Sequence, residues 1–419
     1  TDCPQRDERL GWTGDAQVYV NAACLNADSQ AFFDKWLVDL VDAQRGDGQF
    51  PMVAPLKVAG GDGGPAWADA GVICPVAVYD HYGDRSLLAR QYPSMKRFVD
   101  FCWSRSRDGG LAPKKFHCFG DWLSIKADTP KDVIYTAYLA RSTALLAYAA
   151  EELGREADAE KYRSLFDTAK ASFNRAYVSP DGKIKGDTQC VYALAITCDL
   201  LDDEMRQKAS DRLTADITAR DGRLSTGFVG TKDLLFALSQ TGHDDIAHRL
   251  LHNEGFPGWG FSIKHGATSI WERWDGWTAD DGFQSAGMNS FAHYSFGAVY
   301  HWMVEHVGGI HRDAVGYERV VIRPDFDPSL SSAETRYDSI RGTIATKWAR
   351  GAEGLRLEVV IPCDTTAEVH LPAKSVESVL EGGRPAATAE GIRSATLEGG
   401  EAVLTVGSGD YAFSVKEEE

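Results

Sequence analysis

What this chain has least of, for its size, is positive charge: 44 Lys and Arg stand against 61 Asp and Glu, a formal net charge of -17 over 419 residues. Binding nucleic acid relies on cations displacing phosphate counterions, so nucleic acid is disfavoured as a partner and none is expected, while a neutral or cationic ligand fits better. Cysteine is also used sparsely. The eight residues are scattered with no C-x-x-C pair, which argues against a zinc knuckle or a disulfide framework and makes most of them expected buried thiols. No metal ligand set or cofactor motif appears. The Gly-rich stretch Gly60-Gly61-Asp62-Gly63-Gly64 lacks the Lys of a phosphate loop and carries acids where a phosphate would need donors. Long apolar runs are missing too: the longest, around Ala70 to Tyr79, is far below the roughly 18 residues a membrane helix requires, so no membrane span is expected. Thr1 to Trp12 already read as the inside of a domain, so they give no leader peptide and no compartment.

What is present falls into two textures. Up to about residue 310, apolar residues recur at three- and four-residue steps, as in Phe32, Phe33, Trp36, Leu37, Leu40 and Val41, or Val191, Leu194, Ala195, Cys198 and Leu201. Gly154 and Gly242 each close one helix just before another opens. Asp-Gly turns at 47–48, 108–109, 181–182 and 221–222 punctuate the chain at irregular spacing. That spacing suits a closed ring of helical hairpins whose longer loops gather at one end and form a pocket. From residue 311 to 419 the period becomes two, as in Leu355, Leu357, Val359 and Ile361, with Gly-rich turns between runs. Two domains are expected: a mainly α toroid over 1–310, and a small antiparallel β-sandwich of about eight strands over 311–419.

Two polar clusters stand out. Asp2, Arg6, Asp7, Glu8 and Arg9 run directly into Gly11, Trp12 and Asp15. A solvated helix entry would use these acids; the adjacent Trp favours a site that combines ring stacking with hydrogen bonds. The second cluster holds Trp259, Trp271, Glu272, Arg273, Trp274, Asp275, Trp277 and Asp280, four of the chain's eleven tryptophans. Core packing explains one or two rings; four interleaved with acids suggest the wall of a carbohydrate pocket. Asp62, Trp67 and Asp69, then Phe119-Gly120-Asp121-Trp122, place more rings and acids on loops. His293 follows Asn289 and, on residue type alone, reads as a packed histidine. Carboxylates separated by aromatic loops are what glycoside hydrolysis needs.

The segment from Asp2 to Asp15 closely resembles a signature of bacterial α-L-rhamnosidases of glycoside hydrolase family 78. Ser269-Ile270-Trp271-Glu272-Arg273-Trp274 and Asn289-Ser290-Phe291-Ala292-His293-Tyr294-Ser295 resemble that family's two later motifs, in the same order. The resemblance covers essentially the whole chain and implies an (α/α)6 toroid followed by a β-sandwich. It implies Glu8 as general acid and Glu272 as general base of an inverting mechanism. Asp2, Arg6 and Asp7 would hold the rhamnose hydroxyls, Trp12, Trp67 and Trp122 would surround the ring and its C6 methyl, and His293 would contact the ligand. Asp62 and Asp69 both remain open for a sugar-binding acid, and Trp277 is expected in the pocket wall. The implied partner is a rhamnose-containing carbohydrate or glycoside, from a plant glycoside or a polysaccharide. Family members normally carry β-sandwich domains ahead of the first motif, so an upstream domain is expected to be lacking here. Two other readings fit less well. A different exo-glycosidase on the same toroid, such as an unsaturated-uronide hydrolase, should gather basic residues, and only Arg6 and Arg273 are at hand. A catalytically inactive carbohydrate-binding relative would not need both glutamates.

Overall fold

Helices of two kinds alternate along the first three quarters of the chain, and their sequences explain the difference. α1 (Thr13–Asn26), α3 (Ala70–Tyr82), α5 (Lys131–Glu152), α7 (Gln189–Thr197) and α9 (Phe228–Ser239) are apolar on most faces; α5 buries residues continuously from Val133 to Ala140. α2 (Gln30–Asp42), α4 (Arg85–Arg105), α6 (Glu156–Tyr177), α8 (Asp203–Ala219) and α10 (Asp244–His252) bury a single stripe. In α2 that stripe is Phe33, Trp36, Leu37 and Leu40, the helical spacing seen in the sequence, with Phe32 left exposed. A helix buried all round belongs inside and an amphipathic one outside, which is the arrangement of a double ring of hairpins. α11 (Trp259–Lys264) and the 3-10 turn Ser295–Ala298, continuing into α12 (Val299–Trp302), follow. The structure, a computed structural model, describes residues 9–352 and 354–415.

The turns work as their residues suggest. Gly48, Gly109, Gly182 and Gly222, the second residues of the four Asp-Gly pairs, all have φ between +69° and +101°, where a Cβ is disfavoured. Gly154 and Gly242 take the same left-handed conformation just past α5 and α9. Asp84, Thr188 and Asp202 cap α4, α7 and α8 by accepting backbone N–H bonds.

The chain divides into two units. The first runs to Ala22 and includes Ser29–Ala77 and Asp84–Val299; the second comprises Ala23–Asp28, Val78–Gly83 and the chain from Tyr300 onward. The last stretch of the first unit ends at Val299. Two helix-end segments join the second unit because side chains such as Leu25 are buried in its core with Tyr317, Tyr337 and Leu355.

The second unit is built on two sheets. β3 (Ile310–Arg312), β4 (Arg319–Ile322), β8 (Thr366–Pro372), β12 (Glu401–Val406) and β11 (Ile392–Glu398) form a five-stranded sheet. β5 (Ser332–Ser339), β6 (Gly342–Gly351), β7 (Gly354–Ile361), β13 (Gly409–Val415), β9 (Val379–Glu381) and β10 (Arg384–Pro385) form a six-stranded one. The strand number exceeds the expected eight because short pieces such as β3, β9 and β10 are too brief to show period-two alternation. Pairing is antiparallel except for β4 and β8, which run parallel. Leu355, Leu357, Val359 and Ile361 of β7 point into the buried core, as their alternation indicated. Before them, β1 (Trp277–Thr278) and β2 (Gly282–Phe283) make a separate two-stranded hairpin in the first unit.

Candidate active site

Aromatic residues on the loops that precede α1, α3, α5 and α12, and at the start of α9, touch one another in a closed circuit. Gly14, in the first turn of α1, lies so close to Trp67 that a Cβ there would come within 2.4 Å of the indole. Trp67 packs on Phe119 with ring centroids 4.5 Å apart, and Phe119 on Trp122 at 6.0 Å and Trp12 at 5.9 Å. The Trp122 carbonyl accepts the Phe228 N–H at 2.9 Å, at the start of α9. Phe228 packs on the His293 ring at 5.3 Å, and His293 Nε2 lies 3.2 Å from Asp15 Oδ1, back on α1. The circuit therefore brings together Trp12, Trp67, Trp122 and His293, which are far apart in sequence. Among the described residues, the indole N–H groups of Trp12 and Trp67 are buried with no hydrogen-bond partner.

Two buried aspartates hold the loops of this circuit. Asp121 accepts the Gly227 N–H at 2.8 Å and the Gly230 N–H at 2.9 Å, an anion seated on the first turn of α9. It thereby fixes the neighbouring Trp122. A Cβ at Gly227 would come within 2.1 Å of the Trp122 carbonyl, so glycine is required for that approach. Asp69 accepts the Ala66 N–H at 2.8 Å and the Ser142 hydroxyl at 2.5 Å, bracing the loop that carries Trp67. Burial pushes both carboxyls up to about 6 against the pull of these hydrogen bonds. Asp62 differs: it is half-buried, and among the described residues one of its oxygens accepts the local Gly64 N–H at 2.8 Å. The two acids that the sequence left as alternatives thus have different environments, and Asp69 has both oxygens engaged by the protein.

Glu272 is 1% exposed and sits in a loop segment clamped by its backbone. Its N–H donates to the Ser290 carbonyl at 2.8 Å, and the His293 N–H donates to the Ile270 carbonyl at 2.8 Å, so 270–272 and 290–293 lie side by side. The His293 ring is fixed as well: Ser295 N–H donates to Nδ1 at 3.3 Å, leaving Nε2 as the protonated nitrogen facing Asp15.

The four tryptophans of the second cluster have separate jobs. Trp259 and Trp274 pack edge to face at 5.3 Å, and their N–H groups donate to the carbonyls of Phe296 and Thr226, so both are structural pillars. Trp271 packs on Phe291. Trp277 stands on the β1–β2 hairpin against His265 at 5.0 Å, outside the circuit. Arg273 forms a forked ion pair with Asp275 at 2.9 and 3.0 Å. Asp2, Arg6, Asp7 and Glu8 lie outside the described residues. Sequence reasoning did not assign roles to Phe119, Phe228 and Ser295; their only signal was adjacency to Trp122, Gly227 and His293. No helix among the described residues is long and apolar enough to cross a membrane.

Comparison with known proteins places these features in a family. Residues 1–307 match the model of the bacterial alpha-L-rhamnosidase 6 hairpin glycosidase domain, and 309–384 that of the bacterial alpha-L-rhamnosidase C-terminal domain. An alpha-L-rhamnosidase of Streptomyces avermitilis is 45% identical over 415 residues, covering 99% of this chain and 39% of the relative. One from Formosa agariphila is 37% identical over 90% of this chain and 42% of the relative. The crystal structure of the Streptomyces avermitilis enzyme complexed with L-rhamnose superposes with a TM-score of 0.94, again over 99% of this chain and 39% of that one. The alpha-L-rhamnosidase structure from Dictyoglumus thermophilum has a TM-score of 0.92 at 30% identity, covering 100% of this chain and 47% of that one. The chain thus spans about two fifths of the length of these curated relatives. With both regions matched and the toroid, the sandwich and the aromatic circuit in place, the chain belongs to the bacterial α-L-rhamnosidase six-hairpin glycosidase family.

Proposed function

We propose that this protein hydrolyses terminal α-L-rhamnosides with inversion at the anomeric carbon. In this reading Glu8 protonates the glycosidic oxygen, and the leaving group departs as an alcohol while positive charge develops on the sugar. Glu272 takes a proton from a water attacking the opposite face. Such a pair needs a carboxyl separation of roughly 6.5 to 9.5 Å to admit the water. The observation that carries the reading is Glu272 itself: a carboxylate 1% exposed, held by backbone bonds beside His293 and the aromatic circuit. Burial with few solvent contacts is how a glycosidase sets a carboxylate for proton transfer.

Asp62 is the better sugar-binding acid of the two alternatives, since both oxygens of Asp69 are already committed to Ala66 and Ser142. The available indole donors of Trp12 and Trp67 suit sugar hydroxyls, and their rings suit the apolar face of a 6-deoxy sugar. Asp2, Arg6, Asp7 and Trp122 complete the proposed contacts, and the substrate is a rhamnose-containing glycoside or polysaccharide.

Replacing Glu272 tests the assignment. Glu272→Gln should lower turnover of an aryl α-L-rhamnoside by about 10³-fold or more while L-rhamnose still binds in calorimetry. Turnover near the parent's would remove Glu272 from the role of base. Rhamnose binding by the parent chain without any hydrolysis would make the protein a binding relative instead.

A further inference from the structure

The sequence singled out Asp15 beside the acidic cluster, yet the reaction as proposed gives it no task. It is 5% exposed and sits in the first turn of α1, seven residues after Glu8. One of its oxygens, Oδ1, receives two side chains: the Ser295 hydroxyl at 3.0 Å and His293 Nε2 at 3.2 Å. Ser295 N–H in turn donates to His293 Nδ1 at 3.3 Å. The three residues form a closed triangle of hydrogen bonds in which each partner fixes the next. The backbone bond to Nδ1 sets the imidazole tautomer, and the tautomer points an N–H at the carboxylate.

We propose that Asp15 is a positioning residue for the base: through His293 and Ser295 it ties the segment that follows the acid to the segment that carries Glu272. This rests on the assignment of Glu8 and Glu272 above. The mechanical path is short. His293 N–H holds the Ile270 carbonyl, two residues before Glu272, so a shift of His293 moves the base-bearing segment. His293 also makes ring contacts with Phe228 and Tyr294, at 5.3 and 5.6 Å, and Phe228 N–H carries the Trp122 loop. Tyr294 in turn packs edge-on against Tyr19, one turn along α1 from Asp15, so the same two segments meet at a second point. Inversion depends on the space between two carboxyls, and a displacement of about 1 Å can cost about 10²-fold in rate.

The test uses the full chain and three variants, assayed on an aryl α-L-rhamnoside well below their melting temperatures. Asp15→Asn keeps the shape but removes the charge and one of the acceptor sites. It should lower kcat by about 10- to 100-fold with KM within about threefold, as loss of an orienting partner does. The acid limb of the kcat profile should also move to lower pH, because a buried negative charge near the base has gone. Ser295→Ala, which removes one bond to the same carboxylate, should show a smaller fall in kcat in the same direction with little change in melting. A kcat within twofold of the parent for folded Asp15→Asn overturns the proposal. So does a fall that tracks only the folded fraction with an unmoved pH profile. If Asp15→Asn does not fold, parental kcat in Ser295→Ala overturns it. Glu272→Gln, run alongside, separates the two claims: its normal turnover would sink the assignment of the base, whereas an inactive Glu272→Gln beside a normal Asp15→Asn sinks only this inference.

Discussion

Asp121 has opposing demands on it at the level of single atoms. Burial disfavours its charge, while two backbone N–H groups at the start of α9 favour it, and burial wins, raising the carboxyl to about 6. A carboxyl raised in the folded state contributes stability that is present below its unfolded value near 3.8 and is lost as pH rises through about 6. Asp121→Asn has no proton to lose, and it turns an amide NH2 toward one of the two N–H donors at a cost of about 1–3 kcal/mol. Denaturant unfolding of parent and variant should therefore show a deficit that is greatest near pH 4 and shrinks as pH rises through 6. A deficit that grew with pH would show that Asp121 is ionised by preference. Residue-scale features of this kind were partly legible: the Phe119-Gly120-Asp121-Trp122 stretch drew notice as an aromatic and acidic loop. Its partner Gly227, some hundred positions along the chain, could not be read from it, because the sequence holds no record of which N–H groups a fold brings near.

At the scale of elements, the inner helices carry the site, so what fixes one against another matters more than their exposed partners. Arg141 on α5 and Asp233 on α9 form a forked ion pair, both contacts 2.9 Å, with side chains 12% and 7% exposed. Arg141 also reaches the Thr197 hydroxyl on α7, so one guanidinium joins three inner helices. Removing one partner of a buried pair strands the other charge, and Asp233→Ala should cost about 3–5 kcal/mol in urea unfolding. A loss under about 1 kcal/mol would mean that Arg141 finds water or another acceptor. Helices and their order were legible because burial stripes and Asp-Gly turns are local signals. The four tryptophans between 259 and 277 were less so. Their clustering suggested one pocket wall, but Trp259 and Trp274 give their N–H groups to distant carbonyls, and pairing of that kind leaves no mark in spacing. The same holds for β3, β9 and β10, too short for a two-residue period to declare itself, and for the parallel pairing of β4 with β8.

For the whole molecule, the acidic balance is consistent with the neutral sugar proposed as substrate, and the family assignment fits the toroid and the sandwich. The family was legible in three motifs, while the grouping of Trp12, Trp67, Trp122 and His293 into one contact circuit emerged only with the fold. The central claim is chemical: an α-L-rhamnoside is cleaved by direct attack of water, with the base on the face opposite the acid. The anomer formed first reports on this before mutarotation erases it. Proton NMR during the first turnovers of an aryl α-L-rhamnoside should show β-L-rhamnose appearing ahead of the α-anomer. Initial release of α-L-rhamnose, or no release of rhamnose at all, would contradict the account.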